Sequence, residues 1–344
     1  MSKIEWTDCT WNPTVGCTRV SAGCKNCYAF ESHDRRHKGY PWPNAPKQYA
    51  KPFSEVQLMP DRLDAPLRWR KPRRVFVNSM SDLFHEAVNF RFVDKVFAAM
   101  SIAQGHTFQV LTKRPARMHE YVHTRKNMMS DGPNPVLIQQ RALAKGHGPT
   151  KMNIAASICW PLTNVWLGVS VEDQATADER IPLLLDTPAA VRFLSCEPLL
   201  GPVSLAKWMR HPSALTALTE TTPSGKSLWQ CETCGNKTPG AERECFTIAM
   251  AHNPIHWVIV GGESGPKARY CDLTWVRSLV RQCKTASVPV FVKQLGSHVR
   301  MTIEDWRSIL VTDRWEDGRA YLTDRKGGDM YEWPEDLRVR EYPA

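Results

Sequence analysis

Six short runs of predominantly apolar residues limit what this chain can fold into more than any other feature. They are Val75–Val77, Phe108–Leu111, Val165–Val169, Val191–Leu194, Trp257–Val260 and Val288–Val292. A seventh, weaker run lies near Thr10–Asn12. Strands with one wet face alternate apolar and polar residues, whereas continuous apolar strands are covered on both faces, as in parallel sheets. Between the runs lie helical stripes: Phe92, Val93, Val96, Phe97 and Met100; Ile181, Leu184 and Leu185; Val276, Leu279, Val280 and Cys283. Strand and helix in alternation predict an α/β fold with right-handed crossovers.

Polar residues follow each run at once. They are Asn78, Ser79, Ser81 and Asp82; Thr112, Lys113 and Arg114; Ser170, Glu172 and Asp173; Glu197; Glu263 and Ser264; Lys293 and Gln294. A barrel gathers such positions on one rim, where its active site is built, while an open doubly wound sheet spreads them along an edge. The expectation is a partial or complete (β/α) barrel of the TIM type. Its first part spans 1–204 and its last part 256–298, with a cysteine-containing insertion at 205–255 and a C-terminal extension, 299–344, packed on the barrel. The polar stretch from about 119 to 160, with Met128–Pro133 inside it, reads as loop.

The loop after the first strand, residues 16–28, carries Cys17, Cys24 and Cys27, with six residues in the first gap and two in the second. Three thiolates on one loop can hold three corners of a four-iron cluster and leave the fourth iron open to a ligand. Gly16 and Gly23 would let the backbone bend, and a helix from Ala29 to Lys38 would set its positive end against the anionic cluster. The plainer alternative is a structural zinc knob closed by Cys9 or His33. No signal peptide or membrane-length apolar run is seen, which points to the cytoplasm and away from membranes. There, eleven cysteines favour metal or redox chemistry over disulfides.

The chain resembles the radical S-adenosylmethionine (SAM) superfamily and, within that clan, an uncharacterised family associated with phages and bacteria. The resemblance covers most of the chain. It is carried by Trp11-Asn12-Pro13-Thr14-Val15-Gly16-Cys17, Phe76-Val77-Asn78-Ser79-Met80-Ser81-Asp82-Leu83-Phe84-His85 and Leu111-Thr112-Lys113-Arg114-Pro115. It continues in Trp166–Asp173, Cys196–Pro202, Gly261–Gly265 and Lys293–Gly296. It implies a four-iron, four-sulfur cluster on Cys17, Cys24 and Cys27, SAM bound at the open iron, and a one-electron reductant. Reduction would cleave SAM to methionine and a 5′-deoxyadenosyl radical that attacks a further substrate. Ser79, Ser81 and Asp82 are then expected near SAM, and Glu197, Glu263 and Lys293 are the rim candidates for catalysis. In two places the chain departs from the superfamily pattern. The usual first cysteine gap is shorter than the six residues here, and the Gly-Gly-Glu motif, normally after the second strand, stands at Gly261–Glu263.

A second cysteine group, Cys231, Cys234 and Cys245 with His252 beyond, has the ingredients of a structural zinc site that would staple a small insertion. His256 and Cys271 are alternatives to His252, and an auxiliary iron–sulfur cluster is the alternative to zinc. The net charge of +10 and the basic runs Arg68–Arg74 and Arg35–Lys38, near Trp69 and Trp42, make nucleic acid the partner to test first. Two other functions fit the same residues: a non-catalytic nucleic-acid binder with two zinc sites, and an iron–sulfur electron carrier or sensor that does not use SAM.

Overall fold

The apolar runs become seven parallel strands, hydrogen-bonded in chain order. They are β1 (Cys9–Trp11), β2 (Arg74–Val77), β3 (Thr107–Thr112), β4 (Val165–Ser170), β5 (Val191–Cys196), β6 (Trp257–Gly261) and β7 (Val290–Gln294). The structure is a computed structural model and describes residues 4–131, 161–209, 215–221, 227–231, 237–239, 255–309 and 315–343. Among these residues no helix is long and apolar enough to cross a membrane.

The sheet curls into a half-barrel. In a flat sheet β2 and β6 would lie about 19 Å apart, four spacings of roughly 4.8 Å. Yet the ring of Trp6 sits 4.7 Å from that of Phe76 on β2 and 6.2 Å from that of Trp257 on β6. Phe193 and Phe291 complete this buried aromatic filling. On the outer face Val75, Val77, Phe108, Val110, Leu167, Leu194, Val258, Val260 and Val292 join the larger core under the helices.

Five helices matter for the site: α1 (Tyr28–Lys38), α2 (Phe90–Ile102), α3 (Pro115–Asp131), α4 (Gln174–Asp186) and α5 (Leu273–Thr285). The stripes expected from sequence fall in α2, α4 and α5. The expected loop from 119 onward is corrected, since α3 runs to Asp131. Its inward face is narrow and partly charged, which hid it. Met118, Tyr121 and Val122 are buried, and Arg125 on the same face pairs with the buried Asp94 of α2 at 2.7 Å.

The open edge of β7 is covered by residues 339–341. The amide of Val292 donates to Val339 O at 2.9 Å, and that of Glu341 to Val290 O at 3.0 Å. Capping an exposed strand in this way removes a pairing hazard. Tyr342 then packs on Trp257 and Phe291 under the guanidinium of Arg74. Between β5 and β6, Leu215–Thr221, Ser227–Cys231 and Lys237–Pro239 form an antiparallel ribbon. Cys231 ends its second strand; Cys234, Cys245 and His252 lie outside the described residues.

Candidate functional site

Inward positions change character along each strand. Phe76 is followed two residues later by Asn78, Phe193 by Ser195 and then Glu197, and Phe291 by Lys293. Strand side chains on one face recur every second residue, so these form stacked layers, aromatic below and polar above. Above the polar layer opens a cavity of about 270 Å³. Cys17, Cys24, Cys27, Ser79, Ser81, Asp82, Glu197, Glu263 and Lys293 all line it, with Asn78, Arg114 and Ser170 beside them.

The cysteine loop crosses this mouth and is tied to the ends of four strands. At β2, the Gly16 amide donates to Met80 O at 3.0 Å and the Tyr28 hydroxyl to Ser79 O at 2.6 Å. At β3, Arg114 donates to Thr18 Oγ1 at 2.9 Å and lies 3.7 Å from Cys17 Sγ. At β4, Ser21 donates to Glu172 at 2.7 Å. At β6, Asn26 donates to Glu263 at 3.0 Å, and Arg269, itself bonded to Glu263 at 2.6 Å, reaches Ala22 O at 3.0 Å.

The two loop glycines serve different needs. Gly16 has φ +101°, where only glycine is unstrained, and its bend passes against Glu55 O. Gly23 supplies room instead of bend: a Cβ there would sit 2.5 Å from the Glu172 carboxylate.

Charges at the mouth are mostly paired. Glu172 is fully buried and contacts Lys113, Arg180 (3.3 Å) and Ser21. Burial alone would raise its pKa, but Lys113 and Arg180 outweigh that and hold the carboxyl below its usual value. Glu263 is also held low, its burial outweighed by hydrogen bonds from Arg269 and Asn26. Cys17 moves the other way: burial, then the nearby Asp82 charge, push its thiol to about 11 against the pull of Arg114. Burial, then the charge of Arg114, hold His85 below its usual value, and its Nε2 lies 2.9 Å from Thr18 Oγ1.

Several expected site residues are already engaged. Asp82 accepts from the Phe84 and Lys113 amides, Thr112 and Arg114, so it positions Arg114 and does not face a ligand freely. Ser81 bonds Thr14. Lys293 and Glu197 pair at 2.8 Å. Ser79 donates to Asn12 Oδ1 at 3.2 Å. Asn78, in left-handed backbone at φ 64°, is different: its Nδ2 is buried and has no hydrogen-bond partner. Asn26, Tyr28 and Arg269 carry no sequence signal of a site role, whereas Asn78 stands among the polar strand ends. So do Arg114 and Glu172.

The three sulfurs are not gathered as the ligands of a single ion are. Thiolates around a single zinc lie roughly 3.8 Å apart, given metal–sulfur bonds of about 2.3 Å. The sulfurs of Cys17, Cys24 and Cys27 do not all come within 4.8 Å of one another. Neither proposed closing ligand borders the cavity. Cys9 begins β1 at the far end, and the buried His33 meets Lys51 O at 3.0 Å. Among the alternatives for the second group, His256 accepts from the Arg192 amide, and Cys271 is fully buried.

The basic runs lie elsewhere. Arg68–Arg74 runs into the first residue of β2, at the opposite strand ends from the cavity, and Trp69 packs against His106 and Arg73. Arg35–Lys38 occupies the last turn of α1, where positive charge offsets the helix dipole.

A family model described as "Protein of unknown function (DUF5131)" matches residues 1–326. No curated protein and no solved structure matches the chain.

Proposed function

We propose that this chain, which belongs to the DUF5131 family, holds a four-iron, four-sulfur cluster on Cys17, Cys24 and Cys27 and cleaves SAM to modify a further substrate. One observation carries the reading: three cysteines of a single loop share one cavity with polar groups from the ends of six strands. When bound, the cluster supplies the electron that breaks a carbon–sulfur bond of SAM. The chain's own residues hold and shield it. Arg114 sets a positive charge beside Cys17, and Asn26, Ser21 and Arg269 keep the loop across the mouth. Asn78, whose buried side-chain Nδ2 has no partner, and Ser79 line the cavity and are the residues for the polar end of SAM. Glu197 and Lys293 present a charged pair to the substrate, while Glu263 acts as a positioning residue through Asn26 and Arg269. The aromatic layer below keeps water from entering that way.

Zinc on Cys231, Cys234, Cys245 and His252 belongs to the same proposal on sequence grounds alone. Nucleic acid as substrate rests on net charge, and the exposed run at 68–74 does not border the cavity. The test is to reconstitute the protein anaerobically with iron and sulfide, add SAM and dithionite, and assay 5′-deoxyadenosine. Formation in the wild type and its loss in Cys24→Ala are expected. A brown protein that leaves SAM intact would favour an electron carrier, and a colourless one would overturn the reading.

A further inference from the structure

Outside the cavity, one group of side chains gathers as metal ligands do. His119 and His123 lie one turn apart on α3, and Asp186 is the last residue of α4. Their ligand atoms lie within 4.8 Å of one another, the one such trio among the described residues. His119 Nε2 is 2.5 Å and His123 Nε2 4.0 Å from Asp186 Oδ2, and the two imidazole centroids are 4.0 Å apart.

The hydrogen bonding shows what this trio lacks. His123 Nδ1 lies 3.1 Å from His119 O, and a carbonyl only accepts, so Nδ1 carries the proton. In neutral His123 the other nitrogen, Nε2, is then a bare lone pair. That lone pair lies in the same cluster as a carboxylate oxygen and a second imidazole. Asp186 adds to the negative potential, because it stands at the carboxyl end of α4, where the helix dipole disfavours an anion. His119 Nε2 and Asp186 share one proton, and the His123 lone pair beside them calls for a cation that reaches all three. A proton can serve one pair only; a divalent ion serves all three.

We propose that His119, His123 and Asp186 form a site for a late first-row divalent ion of the zinc class, clipping α3 to α4. Two imidazoles and one carboxylate suit such an ion, whereas magnesium and calcium prefer oxygen donors. Histidines four residues apart on a helix place both nitrogens on one face. Ligands around zinc lie roughly 3.3 Å apart when bonds are about 2.0–2.1 Å, so the observed 2.5 and 4.0 Å need only small side-chain adjustment. The site is half-exposed, with Asp186 71% accessible, which leaves a fourth position to water. Binding displaces the proton that His119 shares with Asp186, and that proton goes to solvent.

The experiment compares full-length wild type with His119→Gln/His123→Gln after metal removal by a chelator. Cobalt(II) is titrated as the probe, because thiolate ligation gives an intense charge-transfer band that nitrogen and oxygen ligation lacks. The wild type should take up one more equivalent than the variant, without added thiolate absorption. Zinc should raise the melting temperature of the wild type more than that of the variant. Equal stoichiometry in the two proteins would overturn the site, as would a difference in melting temperature that is the same with and without metal. The cysteine sites are intact in both proteins, so this result is independent of the fate of the SAM reading.

Discussion

Two layers of the same strands, one side-chain step apart, behave as different materials. Below, Trp6, Phe76, Phe193, Trp257 and Phe291 fill the half-barrel with rings, and residues 339–342 close it. Above, Asn78, Glu197, Glu263 and Lys293 surround an open cavity under the cysteine loop. The lower layer is held by burial and the upper by directed bonds between charged groups. The lower layer is therefore expected to set stability, and the upper one the placement of three thiols.

Trp257→Ala should have the largest effect. The side chain is fully buried, its Nε1 donates to Glu341 O at 2.8 Å, and truncation of this kind costs about 3–5 kcal/mol. A denaturant midpoint measures it; a loss below about 1 kcal/mol would mean that the floor is not the stabilising layer. Glu172→Gln should cost less, about 1–3 kcal/mol, by weakening a buried charged network without opening a void. In reconstituted protein it should also loosen the loop at Ser21, seen as faster proteolysis of residues 17–27.

Acid should separate the layers further. Glu172 and Glu263 have lowered folded values, so their stabilisation is present above about pH 4.3 and is lost as pH falls through those values. His85 is a base with a lowered folded value. Below about pH 6.5 the unfolded chain takes its proton first, and stability starts to fall there. Melting temperature against pH should thus decline in two stages, and Glu172→Gln should flatten the acid stage; an unchanged acid stage would remove Glu172 from it. The smallest effect is expected at the far end of the barrel. Lys71→Glu, exposed in the basic run, should change stability by less than about 0.5 kcal/mol and leave cluster loading unchanged.

The strands and the identity of their polar ends were readable in the chain, because parallel strands covered on both faces leave nearly continuous apolar runs. Placement of the cysteine loop after β1 was readable for the same reason. The curl was expected from the polar strand ends, but what fills it was not, since Trp6 lies outside every run and reaches β2 and β6 only through folding. Nor was the division of labour at the rim. Asp82 and Asn78 look alike as strand-end residues, yet Asp82 accepts four hydrogen bonds and Asn78 keeps an unpaired amide. The α3 helix has no clear apolar stripe because Arg125 occupies a core-facing position that its bond to Asp94 makes acceptable. Family membership reaches residue 326 and brings no chemistry with it, so the cysteines must be tested directly.

The most direct test is iron content after anaerobic reconstitution, comparing wild type with a variant in which Cys17, Cys24 and Cys27 are all alanine. A difference of about four irons per chain, with unchanged melting temperature of the metal-free proteins, is the expected result. Equal iron in the two proteins would contradict a cluster at the mouth of the half-barrel.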